Sequence, residues 1–472
     1  MRVTTWLGLG LCVASACARA QDTHTKPLSL RDCFNLALAR NLDIRIERLS
    51  VNLAGDALTS AYGIYSPNFS FGASHNFISE EGDFDPRKFN PYFPADITTQ
   101  KIGPELDGKV PFGLSYDLTG YVRENKALTD FRSDPGDAAF FPNGFRATND
   151  FNAAAALTLR QHLLRDFWID SDREVLLARR KDLKMSQQAL RFQIMRTLLA
   201  VELAYDDLVD AREEIRVQEE ALALRRQFVA ETQRRVQVGQ SPQLDLAQAQ
   251  TQLQTTLTAL AAAREAFAAG QNTLIGLLTD QFRQWADTQI LPTDALFALP
   301  PNANREASFD AAVRNRPDLI EARLAVEKAG VLVKFRLNQL FPSLDLVGGY
   351  GVLGSRPDSG GSLTDAFSFG HPEYSYGVVV SFPLDNATDR GNYRASKASK
   401  ELAELQLRKA EQAVLLQVAD FVDRVDTRYS QVASTRQARD YAEQALGAEF
   451  EKWTNGYTTS FDVLQYQQIL TE

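Results

Sequence analysis

Cysteine is scarce in this sequence: of three in the chain, two fall in an N-terminal leader, and Cys33 is left alone in the mature protein. No disulfide within one chain is then available to hold the fold, and Cys33 reads as a small apolar residue on a helix face. The four histidines, His24, His75, His162 and His371, are scattered and form no zinc-type spacing. Three methionines, one of them the initiator, give no Met-lined path for soft metals. A phosphate-binding glycine loop and a nucleophile elbow are both missing, so the reading is of a protein that is not an enzyme and needs no cofactor. Excess positive charge is also absent; the net charge of -9 disfavours nucleic acid as a partner. After the leader no apolar run approaches the ~20 residues of a spanning helix, so any passage through a bilayer has to be a β-barrel.

The leader itself, residues 1–20, has an early Arg2, an apolar run from Trp6 to Ala16 and the small-x-small site Ala18-Arg19-Ala20. This is the pattern of a secretory signal peptide, and it predicts export. A competing reading takes Ala14-Ser15-Ala16-Cys17 as a lipidation box with Cys17 acylated, although Leu is absent at its expected place.

What the chain has in abundance is heptads. Val201, Leu208, Ile215, Leu222, Val229 and Val236 recur at every seventh residue within one helix predicted from about Trp168 to Val238. At about 1.5 Å per residue that helix would extend on the order of 100 Å. The slot four residues on holds Leu198 and Tyr205 but then Arg212, Glu219, Arg226 and Gln233, so the apolar stripe narrows towards the C-terminal end. Gly239 and Pro242 then predict a turn. Beyond it Leu246, Leu253, Leu260, Phe267 and Leu274 resume the repeat beside a small-residue row, Ala249, Thr256, Ala263 and Gly270, which suits close antiparallel packing.

Strands are predicted where the period changes to two. Residues 28–65 read as a helix capped by Ser29 and ended by Pro67. Phe69, Phe71, Ala73, His75 and Phe77 then alternate with polar residues, as do Ala153, Ala155, Leu157 and Leu159 further on. Between them Glu80–Asn149 reads as loop apart from an alternating stretch at Val110–Leu118. The order recurs. Asp43, Gly55 and Pro67 match Asp318, Gly330 and Pro342 at one shift of 275; at a shift of 217 the seam Val201, Leu208, Ile215, Val229 and Val236 matches a second seam, Val418, Val425, Val432, Leu446 and Trp453, and Gly239 and Asp245 match Gly456 and Asp462. Two internal repeats follow: residues 21–285, with the longer strand-and-loop insertion, and residues 308–472, joined by a connector at 286–307. The second repeat has its strands around Leu344–Tyr350 and Tyr376–Phe382 and its long helix at about Asp389–Trp453.

Each repeat supplies one strand pair with an apolar and a polar face, about four strands per chain, and more if Val110–Leu118 joins the barrel. The smallest membrane barrels have about eight strands. Several chains would therefore share one barrel, with the long helices continuing below it as coiled staves.

The duplicated units Tyr65-Ser66-Pro67 and Leu340-Phe341-Pro342, the Leu159-Arg160-Gln161-His162-Leu163-Leu164 stretch, and the turns at 238–245 and 455–464 resemble the outer-membrane efflux proteins, the TolC-like family. The resemblance covers the mature chain from Leu28. It implies an α+β membrane protein: a homotrimer with a twelve-stranded outer-membrane barrel and a coiled helical periplasmic tunnel. It also implies outer-membrane lipid, a periplasmic adaptor and an inner-membrane pump as partners, in tripartite efflux or type I secretion. By position, Gly239 and Gly456 would be adaptor-contact tips, and Asp245, Trp453 and Asp462 the tunnel entrance or gate. Three Asp462 carboxylates would favour cations.

The match is not complete at the gate. Trp453 stands where the family pattern has Tyr, Thr458 where an Arg would bond Asp245, and Gln465 where a second Asp would deepen the ring. Closure is therefore expected to rest on Trp453 packing and weaker hydrogen bonds. Simpler roles compete: the glycines as helix terminators, and Asp245 and Asp462 as helix caps. Only ten residues follow Asp462, so the sequence is expected to end within, or to lack, the family's last helix. The alternative from another class is a non-transporting cell-envelope coiled-coil protein, structural or adhesive, which leaves the paired strands unexplained.

Overall fold

The structure is a computed structural model. It describes residues 24–471 apart from 83, 86–89, 92, 133–141, 296–297, 299 and 302–303, so the leader and Cys17 lie outside the described residues. In chain order the elements are β1 (His24–Leu28), α1 (Leu30–Arg40), α2 (Leu42–Tyr62), β2 (Asn68–Glu80), β3 (Ala95–Lys109), β4 (Leu114–Asp130) and β5 (Phe145–His162). Next come α3 (Ser171–Gln237), α4 (Gln243–Leu278), α5 (Phe282–Trp285), β6 (Thr288–Pro292), α6 (Arg305–Asn315) and α7 (Pro317–Asn338). The chain continues through β7 (Ser343–Arg356), α8 (Ser359–Phe367), β8 (Pro372–Ser381), α9 (Ala387–Thr454) and α10 (Ser460–Thr471). Among the described residues no helix is long and apolar enough to cross a membrane. Two compact units share these elements, one drawn from residues 49–189 and 310–416, the other from the stretches before, between and after.

The first unit is built on a six-stranded antiparallel sheet of order β8-β7-β5-β4-β3-β2. Pairing brings Ala73, Ile102, Val122, Ala153 and Gly354 into one row, and Phe69, Leu106, Leu118, Leu157, Tyr350 and Tyr374 into another. Because side chains alternate across a pleated sheet, these rows share one apolar face. The other face carries Ser70, Glu105, Thr119, Thr158, Gly349 and Ser375. Helix α8 lies on the apolar face so closely that a Cβ on Gly354 would sit 2.1 Å from the Ser362 carbonyl oxygen. Only glycine fits there.

Two expectations are corrected by the structure. The stretch read mostly as loop supplies two full strands, β3 and β4: of the alternating Val110–Leu118, residues 114–118 open β4, while Val110–Gly113 is the turn between the strands, closed by the Gly113 amide on the Val110 carbonyl at 2.9 Å. This sheet therefore holds six strands in place of about four. The helix expected over 28–65 also divides, because Asn41, 5% exposed, turns its side chain back on the backbone. Its Oδ1 accepts from the amides of Asp43 (2.9 Å) and Ile44 (3.2 Å), starting α2 afresh. Ser29 does cap α1, in a reciprocal box with Asp32.

The second unit packs its core around the first part of the heptad seam. Val201 and Leu208 are fully buried with Cys33, Ala37, Leu274, Ile275 and Leu278. Burial pushes the Cys33 thiol up to about 12, in keeping with a packing residue. The Tyr205 hydroxyl accepts from the amides of Thr293 and Asp294, both at 3.2 Å, and lies 3.0 Å from the Leu28 carbonyl oxygen. The connector contributes a strand: β6 pairs in parallel with β1. Further along, the buried stripe does not simply narrow. It moves to the flank, where Arg225, Phe228 and Thr232 are buried. Within α9, by contrast, Val425 and Val432 are exposed, and residues 423–441 are exposed throughout, so the seam assigned there is not filled inside one chain.

Candidate functional site: the paired glycine turns

Helices α3 and α9 end alike. In each, a glycine enters the left-handed region, Gly239 at φ 77° and Gly456 at φ 79°. The Gly239 amide donates to the Val236 carbonyl at 3.1 Å and the Gln240 amide to Arg235 at 2.8 Å; Gly456 to Trp453 (3.1 Å) and Tyr457 to Lys452 (2.9 Å) repeat the pattern. This is the Schellman ending, which satisfies carbonyls the helix leaves open. Nothing lies within 4 Å of where either Cβ would be, so glycine is needed here for conformation rather than space.

The two hairpins are tied together at Trp453, which is 2% exposed. Its ring lies 4.8 Å from that of Phe228 and 5.6 Å from that of Phe450, centroid to centroid. The Arg235 guanidinium stacks 4.1 Å from the indole centroid and donates to the carbonyl oxygens of Trp453 and Thr454, each at 3.0 Å. One cation thus covers the ring and occupies two carbonyls at the end of α9. The indole Nε1 donates to Ser460 Oγ at 3.1 Å, and Ser460 Oγ donates to Asp245 Oδ2 at 3.0 Å, joining the start of α10 to the first turn of α4. Ala249, Val463 and Leu464 close the cluster.

Asp462 sits differently. It is the third residue of α10 after the cap Thr459, whose hydroxyl donates to Asp462 Oδ2 at 2.6 Å and whose amide donates to it at 3.1 Å. Thr458 adds a third donor at 2.8 Å. These bonds, led by the Thr459 hydroxyl, hold the Asp462 carboxyl below the usual carboxylate range. The structure therefore joins Trp453 to Asp245 through Ser460 and leaves Asp462 in a capping box of its own. Thr458, standing where a cation was expected on Asp245, serves Asp462.

Sequence reasoning missed the largest exposed side chains of this region. Val238, Leu244, Tyr457 and Phe461 are 68%, 64%, 84% and 62% exposed around the two turns. The signal was available, since four large apolar residues flank turns where polar ones are the rule. Also missed was Thr232, fully buried with a hydroxyl that has no partner among the described residues. Thr232→Val removes that polar group at nearly constant shape, and about 1 kcal/mol of stabilisation is expected. A thermal unfolding midpoint no higher than the parent's would show that the hydroxyl is satisfied.

Long helices ending in paired hairpins, in a chain that also carries a one-sided antiparallel sheet, define the class: the protomer fold of outer-membrane channel proteins. Residues 309–471 match the outer membrane efflux protein family. The outer membrane efflux protein BepC of Brucella suis biovar 1 is 25% identical over 288 residues, 60% of this chain and 59% of that protein. The alignment thus spans under two thirds of that relative. Among solved structures, CusC aligns at a TM-score of 0.64 and 17% identity, covering 94% of this chain and 86% of that one. VceC, an outer membrane protein of Vibrio cholerae, aligns at 0.63 and 18%, covering 94% and 90%. At such identities the structural likeness is one of fold. Residues 309–471 thus resemble the outer membrane efflux proteins in sequence, and over 94% of the chain the fold is that of solved outer-membrane channels.

Proposed function

We propose that this protein is the outer-membrane channel of a tripartite efflux or type I secretion system, a passive conduit assembled from three copies. The observation that carries the reading is the six-stranded sheet, apolar on one face, polar on the other and open at both edges. In lipid, unpaired edge amides cost several kcal/mol each, and a barrel shared between copies removes them. The apolar face, apart from the part that α8 covers, then meets outer-membrane lipid and the polar face lines the lumen. Val425 and Val432, exposed in the single chain, are covered where staves pack side by side. Likeness to CusC, whose structures concern transmembrane channel formation, supports the same reading.

The tips divide the remaining work. Gly239 and Gly456 set the turns, and Val238, Leu244, Tyr457 and Phe461 around them offer an apolar surface to a periplasmic adaptor, through which an inner-membrane pump is engaged. Trp453, Asp245 and Ser460 hold the hairpin ends together at the entrance. Asp462 supplies one carboxylate per copy to a ring that favours cations. The duplicated order of helix, strands, long helix, glycine turn and helix makes the two hairpins equivalent staves.

Single-channel recording of the purified protein in planar bilayers tests this. Discrete cation-selective steps are expected, and Asp462→Asn, which removes charge while keeping an acceptor for the cap, should lower selectivity without loss of assembly. Because the Asp462 carboxyl titrates below its ordinary 3.8, selectivity should persist at pH 5 and fade only as the solution falls beneath about pH 4. A protein that never inserts, or that conducts with unchanged selectivity in the variant, would sink the channel or the ring respectively.

A further inference from the structure

We infer that three copies close a barrel of eighteen strands by pairing β8 of one copy with β2 of the next, in place of the twelve strands that two per repeat would give. The inference rests on the channel reading and deepens it. Six strands are hydrogen-bonded in sequence, and five antiparallel steps separate β2 from β8, so the two outer strands run in opposite directions. Placed side by side around a ring they continue the same antiparallel order, and a head-to-tail contact of this kind closes without leaving an edge.

Neither edge is built to remain free. Protected edges carry lysine, internal proline or bulges. Strand β2, Asn-Phe-Ser-Phe-Gly-Ala-Ser-His-Asn-Phe-Ile-Ser-Glu, has none of these, and β8 has proline only at its first residue, Pro372. Both strands are exposed at every position. Their apolar residues are also in phase. With Ser381 opposite Asn68 of the next copy, Phe69 faces Val380, Phe71 faces Val378 and Ala73 faces Tyr376, while Ser74 meets Ser375 on the polar side. A one-residue slip would set each of these against the wrong face.

The stagger inside the sheet supports this register. Following partners across from Asn68 leads through Asp107, Asp117, Thr158 and Gly349 to Ser375, six residues short of the end of β8 at Ser381. A ring that joins Ser381 to the next Asn68 therefore shifts six residues over six strands. With ~3.3 Å per residue and ~4.8 Å between strands, the strands tilt about 35°, within the range of outer-membrane barrels. Since barrel diameter grows roughly linearly with strand number, the lumen would be about 1.5 times as wide as a twelve-stranded one.

The test is a disulfide between copies. Ser74 and Ser375 lie on opposite edges of one chain's sheet, out of reach of each other, but opposite in the proposed contact. Ser74→Cys with Ser375→Cys, oxidised in isolated outer membranes, should give a reducible trimer that neither single variant gives. Ser70→Cys with Val379→Cys in the same register serves if the first pair disturbs folding. Electron cryo-microscopy of the cross-linked trimer in lipid nanodiscs should count eighteen strands. An intact trimer with twelve strands and the β3–β4 hairpin outside the wall, or one that neither pair cross-links, overturns the inference and leaves the channel standing. Absence of any membrane trimer overturns both.

Discussion

Replacing Trp453 with alanine is expected to release the helix ends at the tip, raising amide hydrogen exchange of residues 453–460 by more than about a hundredfold. Truncating a buried Trp costs about 3–5 kcal/mol, and each 1.4 kcal/mol is a factor of ten. At 2% exposure the indole has little solvent to return to, and its loss strips packing from Phe228 and Phe450 together. It also leaves Arg235 without its ring and Ser460 without its indole donor. Trp453→Phe keeps the stacking and loses only the Nε1 bond, so it should raise exchange far less. In bilayers the alanine variant should show larger or longer openings than the parent if the tip constricts the channel. Unchanged protection in the alanine variant would mean that other contacts hold the hairpins, and the entrance would have to be sought away from Trp453.

Much of this tip was legible in the sequence. A glycine after a heptad helix and before Pro242 needs a left-handed residue, and the constant shift of 217 placed Gly456 in the same role. Trp453 was readable as a seam residue because it keeps the seven-residue period. What it packs against was not. Phe228 lies one residue off the seam, on a flank that also carries Arg225, Thr232 and Arg235, and a row of such residues reads as a solvated face until another helix is laid upon it. The capping roles of Asp245 and Asp462 were weighed but could not be separated, because both follow a glycine turn by the same distance. In the fold one is bonded to Ser460 and the other to Thr459.

The sheet was harder to read. Strand β3 contains Pro104 and spreads Thr98, Thr99, Gln100, Lys101, Glu105 and Asp107 over both faces, which demotes it on local pattern alone. It is a strand because β2 and β4 pair with it on either side, and β4 leaves its ladder with β3 open at residues 103–104, where proline has no amide to give. Alternation on β2 and β5 was clear for the opposite reason: each keeps Phe, Ala or Leu on a single face. Long-range pairing thus turned a polar insertion into a third of the sheet, and with it changed the number of strands the chain brings to a barrel.

Arg225→Met is expected to stabilise the protein by about 1–4 kcal/mol, the range seen when buried charges give way to apolar residues of similar volume. Arg225 is 6% exposed, and among the described residues its one hydrogen bond runs from Nη1 to Gln467 Oε1 at 2.7 Å. Burial pushes its pKa down, the mark of a cation short of solvent, and no carboxylate forms an ion pair with it among the described residues. A neutral amide returns less than the desolvation costs, so the arrangement reads as specificity held at the expense of stability. Gln467→Ala should therefore act in the opposite sense, since it strips the guanidinium of that acceptor. In the double variant Arg225→Met with Gln467→Leu the penalty should vanish, because no charge is left to strand. Unfolding midpoints of the detergent-solubilised assembly at fixed protein concentration would decide it. If Arg225→Met lowers the midpoint as much as Gln467→Ala does, the guanidinium is better solvated than its burial indicates. If it raises the midpoint while the hairpins slip register in hydrogen exchange, the charge is kept for alignment: it sits where α10 must meet α3 at one height, and Gln467 is its counterpart there.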